Sequence, residues 1–237
     1  MGGAAALAVG GATWALLDLP ATFVAEVGVL YGALAAVLMV TLPLEWPSAS
    51  GVAAPGSGSG SGMGAANRIT FGRAIMLLPL AALAFHPSAF DTAARWLVVV
   101  VGTVIMVLDG FDGWMARRTG TESAFGARFD METDAFLMLV LSVLVWVEGR
   151  AGAWVLLIGG MRYLFVAAGW VAPKLQGDLF PSLRRKVVCV VQGVVLLVAL
   201  GPIIPDLMAV TVAAAGLVTL VYSFGVDTVW LLRQEAA

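Results

Sequence analysis

Four aspartates lie close together, between residues 109 and 134, in a chain of which 61% of the residues are hydrophobic. They are Asp109, Asp112, Asp130 and Asp134. In a membrane each carboxylate would cost about 2.5–3.5 kcal/mol on insertion scales, so protons or cations must neutralise the group. Oxygen ligands without His or Cys suit Mg²⁺ first and Mn²⁺ or Ca²⁺ after it. Because paired divalent ions often serve phosphoryl transfer, the pattern indicates that kind of chemistry.

Helical spacing places the first two aspartates on one face of a helix. At 100° per residue, Asp112, Gly113, Ala116 and Arg117 all lie within about 80° of Asp109. Two carboxylates, two small residues and one guanidinium therefore share this face.

A second stripe follows on the next predicted helix, where Gly126, Asp130 and Asp134 recur every four residues. The connection between the two helices is short, which favours antiparallel neighbours. We expect the four carboxylates to converge near the inner membrane surface. Helix capping and pairing with neighbouring arginines would explain any one of these aspartates, but not four on two converging stripes.

The elements that must position these residues are membrane helices. Charged residues make up only 12% of the chain, against roughly 25% in ordinary globular domains, and the mean hydropathy is +0.98. Apolar runs recur at about the 20-residue length that spans a bilayer. The composition predicts an all-α, polytopic membrane bundle. The single cysteine, Cys189, excludes a disulfide framework and is expected to be a small buried residue.

The chain divides into two apolar segments, a linker and a six-helix core. Residues 1–46 hold two apolar helices at roughly 3–19 and 22–44, and the Pro/Gly/Ser-rich residues 47–62 read as a flexible linker. Residues 63–237 form the predicted core domain. Its helices are expected at about 69–86, 92–116, 127–148, 151–172, 185–202 and 207–231.

The distribution of Lys and Arg orients the core. If residue 67 is cytoplasmic, ten basic residues fall on cytoplasmic connections and only Arg95 and Arg150 on the other side. This asymmetry places the aspartates at the cytoplasmic face of the cell membrane. The ten are Arg68, Arg73, Arg117, Arg118, Arg128, Lys174, Arg184, Arg185, Lys186 and Arg233.

The aspartate pattern resembles the signature of the CDP-alcohol phosphotransferase family at all eight of its fixed positions. It reads Asp109-x2-Asp112-Gly113-x2-Ala116-Arg117-x8-Gly126-x3-Asp130-x3-Asp134. The six-helix core also fits, so the resemblance covers roughly 63–237 and leaves residues 1–62 outside.

This resemblance implies displacement of CMP from a CDP-linked alcohol by the hydroxyl of an acceptor. It implies that Asp109, Asp112 and Asp130 hold two ions, Mg²⁺ or Mn²⁺, with Asp134 close to the second. Asp134 would also be the general base that takes the proton of the acceptor. The cytidine diphosphate site would be lined by Gly113, Ala116, Arg117 and Gly126.

A second motif, Asn67-x2-Thr70-x2-Arg73, stands at the start of the first core helix. It can be a helix cap followed by positive-inside arginines, or a nucleotide contact, because the family often has the same three residue types there. Both interpretations stay open.

Basic residues elsewhere suit an acceptor that carries its own phosphate. Arg184, Arg185 and Lys186 can bind such a group or simply anchor the helix at anionic lipid. Arg162 lies roughly halfway along an apolar helix, where a charged side chain needs a polar partner or a water-filled cavity.

The sequence therefore predicts a membrane enzyme of phospholipid synthesis that uses CDP-diacylglycerol and a small polar alcohol such as glycerol phosphate or inositol phosphate. A CDP-choline- or CDP-ethanolamine-type enzyme acting on diacylglycerol is the alternative within the class, and a cation or proton transporter is the alternative outside it. The resemblance implies a homodimer, and no feature points to nucleic acid. The acceptor itself is not encoded in any motif.

Overall fold

The structure, a computed structural model, describes residues 2–44, 65–119, 124–172, 174, 177 and 182–233. This part of the chain confirms the all-α prediction, since it contains helices and turns but no strand. The predicted linker, residues 47–62, lies outside the described residues.

Eight α-helices account for most of the described chain. They are α1 (Gly2–Leu17), α2 (Thr22–Leu44), α3 (Ala65–Leu83), α4 (Thr92–Thr119), α5 (Ala124–Val147), α6 (Leu156–Val171), α7 (Leu183–Leu200) and α8 (Asp206–Arg233). Two short 3₁₀ turns, Pro87–Ala89 and Ala153–Val155, precede α4 and α6.

Three stretches of the described helices are long and apolar enough to cross a bilayer: Thr92–Phe111, Ala153–Val171 and Asp206–Arg233. Much of their apolar surface points outward; Trp170 and Leu207, for example, are 77% and 80% exposed. Such surface is stable against lipid chains but not against water. The protein is an integral membrane protein.

Helix α6 begins later than the sequence predicts, at residue 156 rather than 151. Gly149 has a φ of +67°, which ends α5, and the backbone amide of Arg150 donates to the carbonyl of Val145. This is the Schellman pattern of helix ends, which favours glycine. Gly152 then has extended backbone, with ψ at 170°. The chain therefore leaves one helix and enters the next through a structured turn.

The chain folds as two compact units, each made of two separate stretches. Unit 1 comprises Met1–Ala82 and Ile105–Thr133, and unit 2 comprises Leu83–Val104 and Asp134–Ala237. Helices α4 and α5 each run through both units.

In unit 1 the first two helices form a hairpin, and the start of α1 lies beside α3. Phe23 and Val27 are fully buried, and a Cβ placed on Gly10 would lie 3.1 Å from Cγ1 of Val27. At the start of α1, a Cβ on Gly2 would lie 2.8 Å from the ring of Phe71 on α3. Small residues thus let the hairpin approach its neighbour closely.

In unit 2 polar and small residues hold α7 against α8. The amide nitrogen of Gln192 donates to the carbonyl of Gly216 at 3.0 Å and to Oγ1 of Thr219 at 3.1 Å. A Cβ on Gly216 would lie 2.8 Å from Val195, so glycine is needed for this approach. Cys189, on the same α7, is exposed rather than buried as expected, and it lies in a stretch of α7 where Val187 and Val190 are exposed as well.

Candidate active site

Three of the four predicted carboxylates meet. One oxygen from each of Asp109, Asp130 and Asp134 lies within 4.8 Å of the other two, and all three residues are half-buried. Asp109 is on α4, whereas Asp130 and Asp134 are one turn apart on α5, so that their side chains share a face. Asp112 lies on α4, one turn beyond Asp109, but its side chain lies outside the described residues.

This arrangement fits a divalent cation. Oxygens on opposite sides of an ion with bonds of about 2.0–2.6 Å are about 4–5 Å apart, which is the spread of the three oxygens here. The donors are carboxylates only, the chemistry that Mg²⁺ and Mn²⁺ prefer over softer metals. None of the three residues is fully buried.

Arg73 lies directly against this cluster. Its Nη1 atom is 2.9 Å from Oδ1 of Asp109 and 2.6 Å from Oδ1 of Asp130. The arginine side chain is fully buried, while the two carboxylates are about one-third exposed, at 35% and 34%. The guanidinium therefore joins α3 to both motif helices within unit 1. The sequence motif left Arg73 open between a positive-inside arginine and a nucleotide contact, and it gave no sign of this double ion pair.

The remaining residues of the predicted nucleotide site are only partly described. Thr70 is buried on α3, one turn before Arg73, and Gly126 is half-buried on α5, one turn before Asp130. Four others lie on α3 or α4 with side chains outside the described residues: Asn67, Gly113, Ala116 and Arg117. Their assignment to the nucleotide stays a prediction.

The basic residues at the start of α7 make specific contacts in unit 2. Nη1 of Arg184 donates to the carbonyl of Ser223 at 2.6 Å, and its Nη2 lies 2.5 Å from Oδ1 of Asp227. Nη1 of Arg185 reaches the same Oδ1 at 3.3 Å. Two guanidinium groups thus gather at one carboxylate that is only 10% exposed. Lys186 beside them is exposed.

Ser223 and Asp227 were missed in the sequence. The signal was present, because an acid within an apolar helix needs a cationic partner and Asp227 stands one turn after a serine on α8. Arg162, the other predicted acceptor residue, lies half-buried on α6 and belongs to the same unit. Its assignment to the acceptor stays a prediction.

The comparison with protein families agrees with the signature. The family model for CDP-alcohol phosphatidyltransferase matches residues 63–222, about two-thirds of the chain, and includes all eight signature positions. Helices α1 and α2 precede the matched region. No curated protein and no solved structure matches the chain. The chain therefore belongs to the CDP-alcohol phosphatidyltransferase family, membrane transferases that move a phosphatidyl group from a CDP-alcohol to another alcohol.

Proposed function

We propose that this protein transfers the phosphatidyl group of CDP-diacylglycerol to the hydroxyl of a small polar acceptor and releases CMP, using Mg²⁺ or Mn²⁺. The observation that carries the proposal is the meeting of Asp109, Asp130 and Asp134 within 4.8 Å, inside the family-matched region. Membership in a transferase family also favours this enzyme over a cation transporter. The membrane location suits a donor whose acyl chains stay in the bilayer.

The four aspartates would have different roles in the reaction. Asp109, Asp112 and Asp130 would hold two ions, with Asp134 next to the second. A bound divalent ion supplies positive charge to the diphosphate oxygens and to the departing CMP. Asp134 takes the proton of the acceptor hydroxyl, and the oxygen of that hydroxyl bonds to the phosphorus on the lipid side of the diphosphate. The bond from this phosphorus to CMP breaks, and CMP leaves.

The nucleotide would lie along the small-residue face of the motif. Gly113, Ala116 and Gly126 leave room for the cytidine diphosphate beside the backbone. Arg117 can clamp a phosphate through two parallel hydrogen bonds. The polar contacts at the start of α3 would come from Asn67, Thr70 and Arg73.

We further propose that the acceptor carries its own phosphate, as glycerol phosphate and inositol phosphate do. Arg184, Arg185 and Lys186 are consecutive at the start of α7, and Asp227 draws the two arginines together. A cluster of this kind suits a phosphate dianion, whereas a neutral diacylglycerol acceptor has no use for it. Arg162 would complete the site. This charge pattern favours CDP-diacylglycerol as donor over CDP-choline or CDP-ethanolamine.

The excess of Lys and Arg on one set of connections supports a cytoplasmic active site. We expect residues 63–237 to form the catalytic domain and to act as a homodimer, as the resemblance implies.

The test is CMP release by the purified full chain in detergent, with CDP-diacylglycerol, Mn²⁺ or Mg²⁺, and one acceptor at a time. Asp134→Asn keeps the shape of the side chain but removes the base, so release should fall by about 10²–10⁴-fold. Glu132→Gln is the matched control, because Glu132 is exposed on the same helix between the two motif aspartates. It should keep near-normal activity.

Each outcome distinguishes the alternatives. Release with one phosphorylated acceptor supports the full proposal. Release only with CDP-choline or CDP-ethanolamine and diacylglycerol would replace the proposed donor. Equal loss in Asp134→Asn and Glu132→Gln would remove Asp134 from its role as base.

A further inference from the structure

We propose that Arg73 competes with a divalent cation for the carboxylates of Asp109 and Asp130, and so sets the affinity of the site for metal. This inference rests on the metal site of the proposed function and adds a role for a residue outside the aspartate motif. It starts from Nη1 of Arg73, which lies 2.9 Å from Oδ1 of Asp109 and 2.6 Å from Oδ1 of Asp130.

The first step of the argument is geometric. Asp109 and Asp130 are two of the three residues whose oxygens lie within 4.8 Å of one another. A cation bound to them at about 2.0–2.6 Å would lie beside the guanidinium, which carries the same sign of charge. The carboxylates cannot serve both cations fully at once, so each weakens the hold of the other.

The second step concerns screening. The Arg73 side chain is fully buried, and charges away from water interact more strongly than charges at a surface. An arginine also cannot relieve the conflict by losing its proton, because the guanidinium stays protonated at any ordinary pH. The remaining response is movement of the side chain away from the carboxylates, which costs part of the binding energy of the metal.

A purely structural role for Arg73 predicts the opposite sign. If the guanidinium served only to hold the two carboxylates in place, its removal would loosen them and weaken metal binding. Competition predicts that its removal strengthens metal binding. The sign of the change in affinity therefore separates the two roles without any measurement of activity.

The experiment measures Mn²⁺ binding to the full chain in detergent, by electron paramagnetic resonance of the free ion or by calorimetry. Arg73→Met removes the charge and keeps the apolar stem, and should tighten Mn²⁺ binding by about ten- to a hundredfold. Arg73→Gln keeps an N–H donor for the carboxylates without the charge. Arg73→Gln should also tighten Mn²⁺ binding, and it replaces Arg73→Met in the test if that variant fails to fold.

The matched control is Arg95→Met. Arg95 lies on the same helix as Asp109 but pairs with Glu148, its Nε lying 2.7 Å from Oε2 of that residue. Removing this arginine deletes an equal charge and one ion pair away from the aspartates, so Mn²⁺ affinity should stay within about twofold of the parent value because solvent screens distant charges.

Tighter binding in both Arg73 variants, with Arg95→Met unchanged, supports competition. Unchanged or weaker binding in the Arg73 variants overturns it while leaving the metal site of the proposed function intact. Absence of Mn²⁺ binding in all of the folded proteins would overturn the metal site itself, and the inference with it.

Discussion

Arg150 shows how far a single side chain can organise a helix end. Its guanidinium is buried and donates to the carbonyls of Ala199 at 2.9 Å, Gly201 at 3.3 Å and Ile204, and it also pairs with Asp206. The last carbonyls of a helix have no partner within the helix. Arg150 therefore satisfies the end of α7 and ties it to the start of α8.

We predict that Arg150→Ala destabilises the protein by about 2–4 kcal/mol, because several buried acceptors lose a charged donor together. Thermal unfolding in detergent should show a clear fall in Tm. Arg150→Lys should recover only part of it, since one ammonium group cannot reach acceptors spread over this turn. Arg233→Ala, at an exposed position at the end of α8, is the control and should leave Tm nearly unchanged. An equal loss in both would show that net charge, not the cap, is responsible.

At the same scale, the sequence predicted the aspartate cluster but not its arginine. The approach of Asp130 and Asp134 follows from helical periodicity alone, and Asp109 joins them because a short connection makes α4 and α5 neighbours. The contact of Arg73 depends on how α3 is rotated about its own axis, which is a matter of packing between helices. Local spacing carries no information on that rotation.

Among the elements, α6 approaches α5 closely at Gly159, which has no side chain. A Cβ on Gly159 would lie 2.4 Å from the Cα of Leu139 and 2.7 Å from the carbonyl oxygen of Met138. These are backbone atoms that cannot swing aside. The neighbouring Gly160 has nothing within 4 Å of the same position. The backbone of α5 thus excludes a side chain at residue 159, whereas residue 160 has space for one.

We predict that Gly159→Ala costs about 1–3 kcal/mol, because α6 must move away from α5 to admit one methyl group. Gly160→Ala should be neutral or stabilise by up to about 1 kcal/mol, since alanine is the better helix former. Denaturation of the two variants side by side in the same detergent measures the difference. If Gly160→Ala were the more harmful change, the described packing of α6 would be wrong.

Helix boundaries were predictable where turn residues mark them. The predicted range of α2, residues 22–44, is the observed one, because Pro20 precedes it. α3 was expected to reach residue 86 but ends at Leu83, where the backbone amide of His86 turns back to the carbonyl of Leu83. The start of α6 was misplaced because its turn depends on Gly149 and Arg150. Such turns are closed by individual local hydrogen bonds of the backbone, which hydrophobic periodicity does not contain.

For the whole molecule, the apolar exterior is the dominant property. The sequence predicted this from composition alone, because a chain with 12% charged residues cannot cover its surface with polar groups. Composition cannot say which apolar side chains face the lipid. Cys189 was expected inside and is exposed on α7. Its neighbours Val187 and Val190, at 60% and 55% exposed, share that exterior.

We predict that Cys189 reacts poorly with a charged maleimide or methanethiosulfonate reagent in intact membranes, because the reactive thiolate is disfavoured among acyl chains. After the membrane is dissolved in SDS, labelling should approach one group per chain, since this is the single cysteine. Mass spectrometry of the labelled protein gives both numbers. Fast labelling before SDS would mean that this face of α7 meets water. A Cys189→Ala variant supplies the background.

The hairpin of α1 and α2 has a consequence for how the protein is inserted during synthesis. Residues 1–67 contain no Lys or Arg, so this segment carries none of the cationic signals by which a translocon orients a helix. Gly2, at the start of this hairpin, lies beside the ring of Phe71 on α3. That helix carries Arg68 and Arg73 close to its start. We therefore expect a helix that is made later to take part in orienting one that is made earlier.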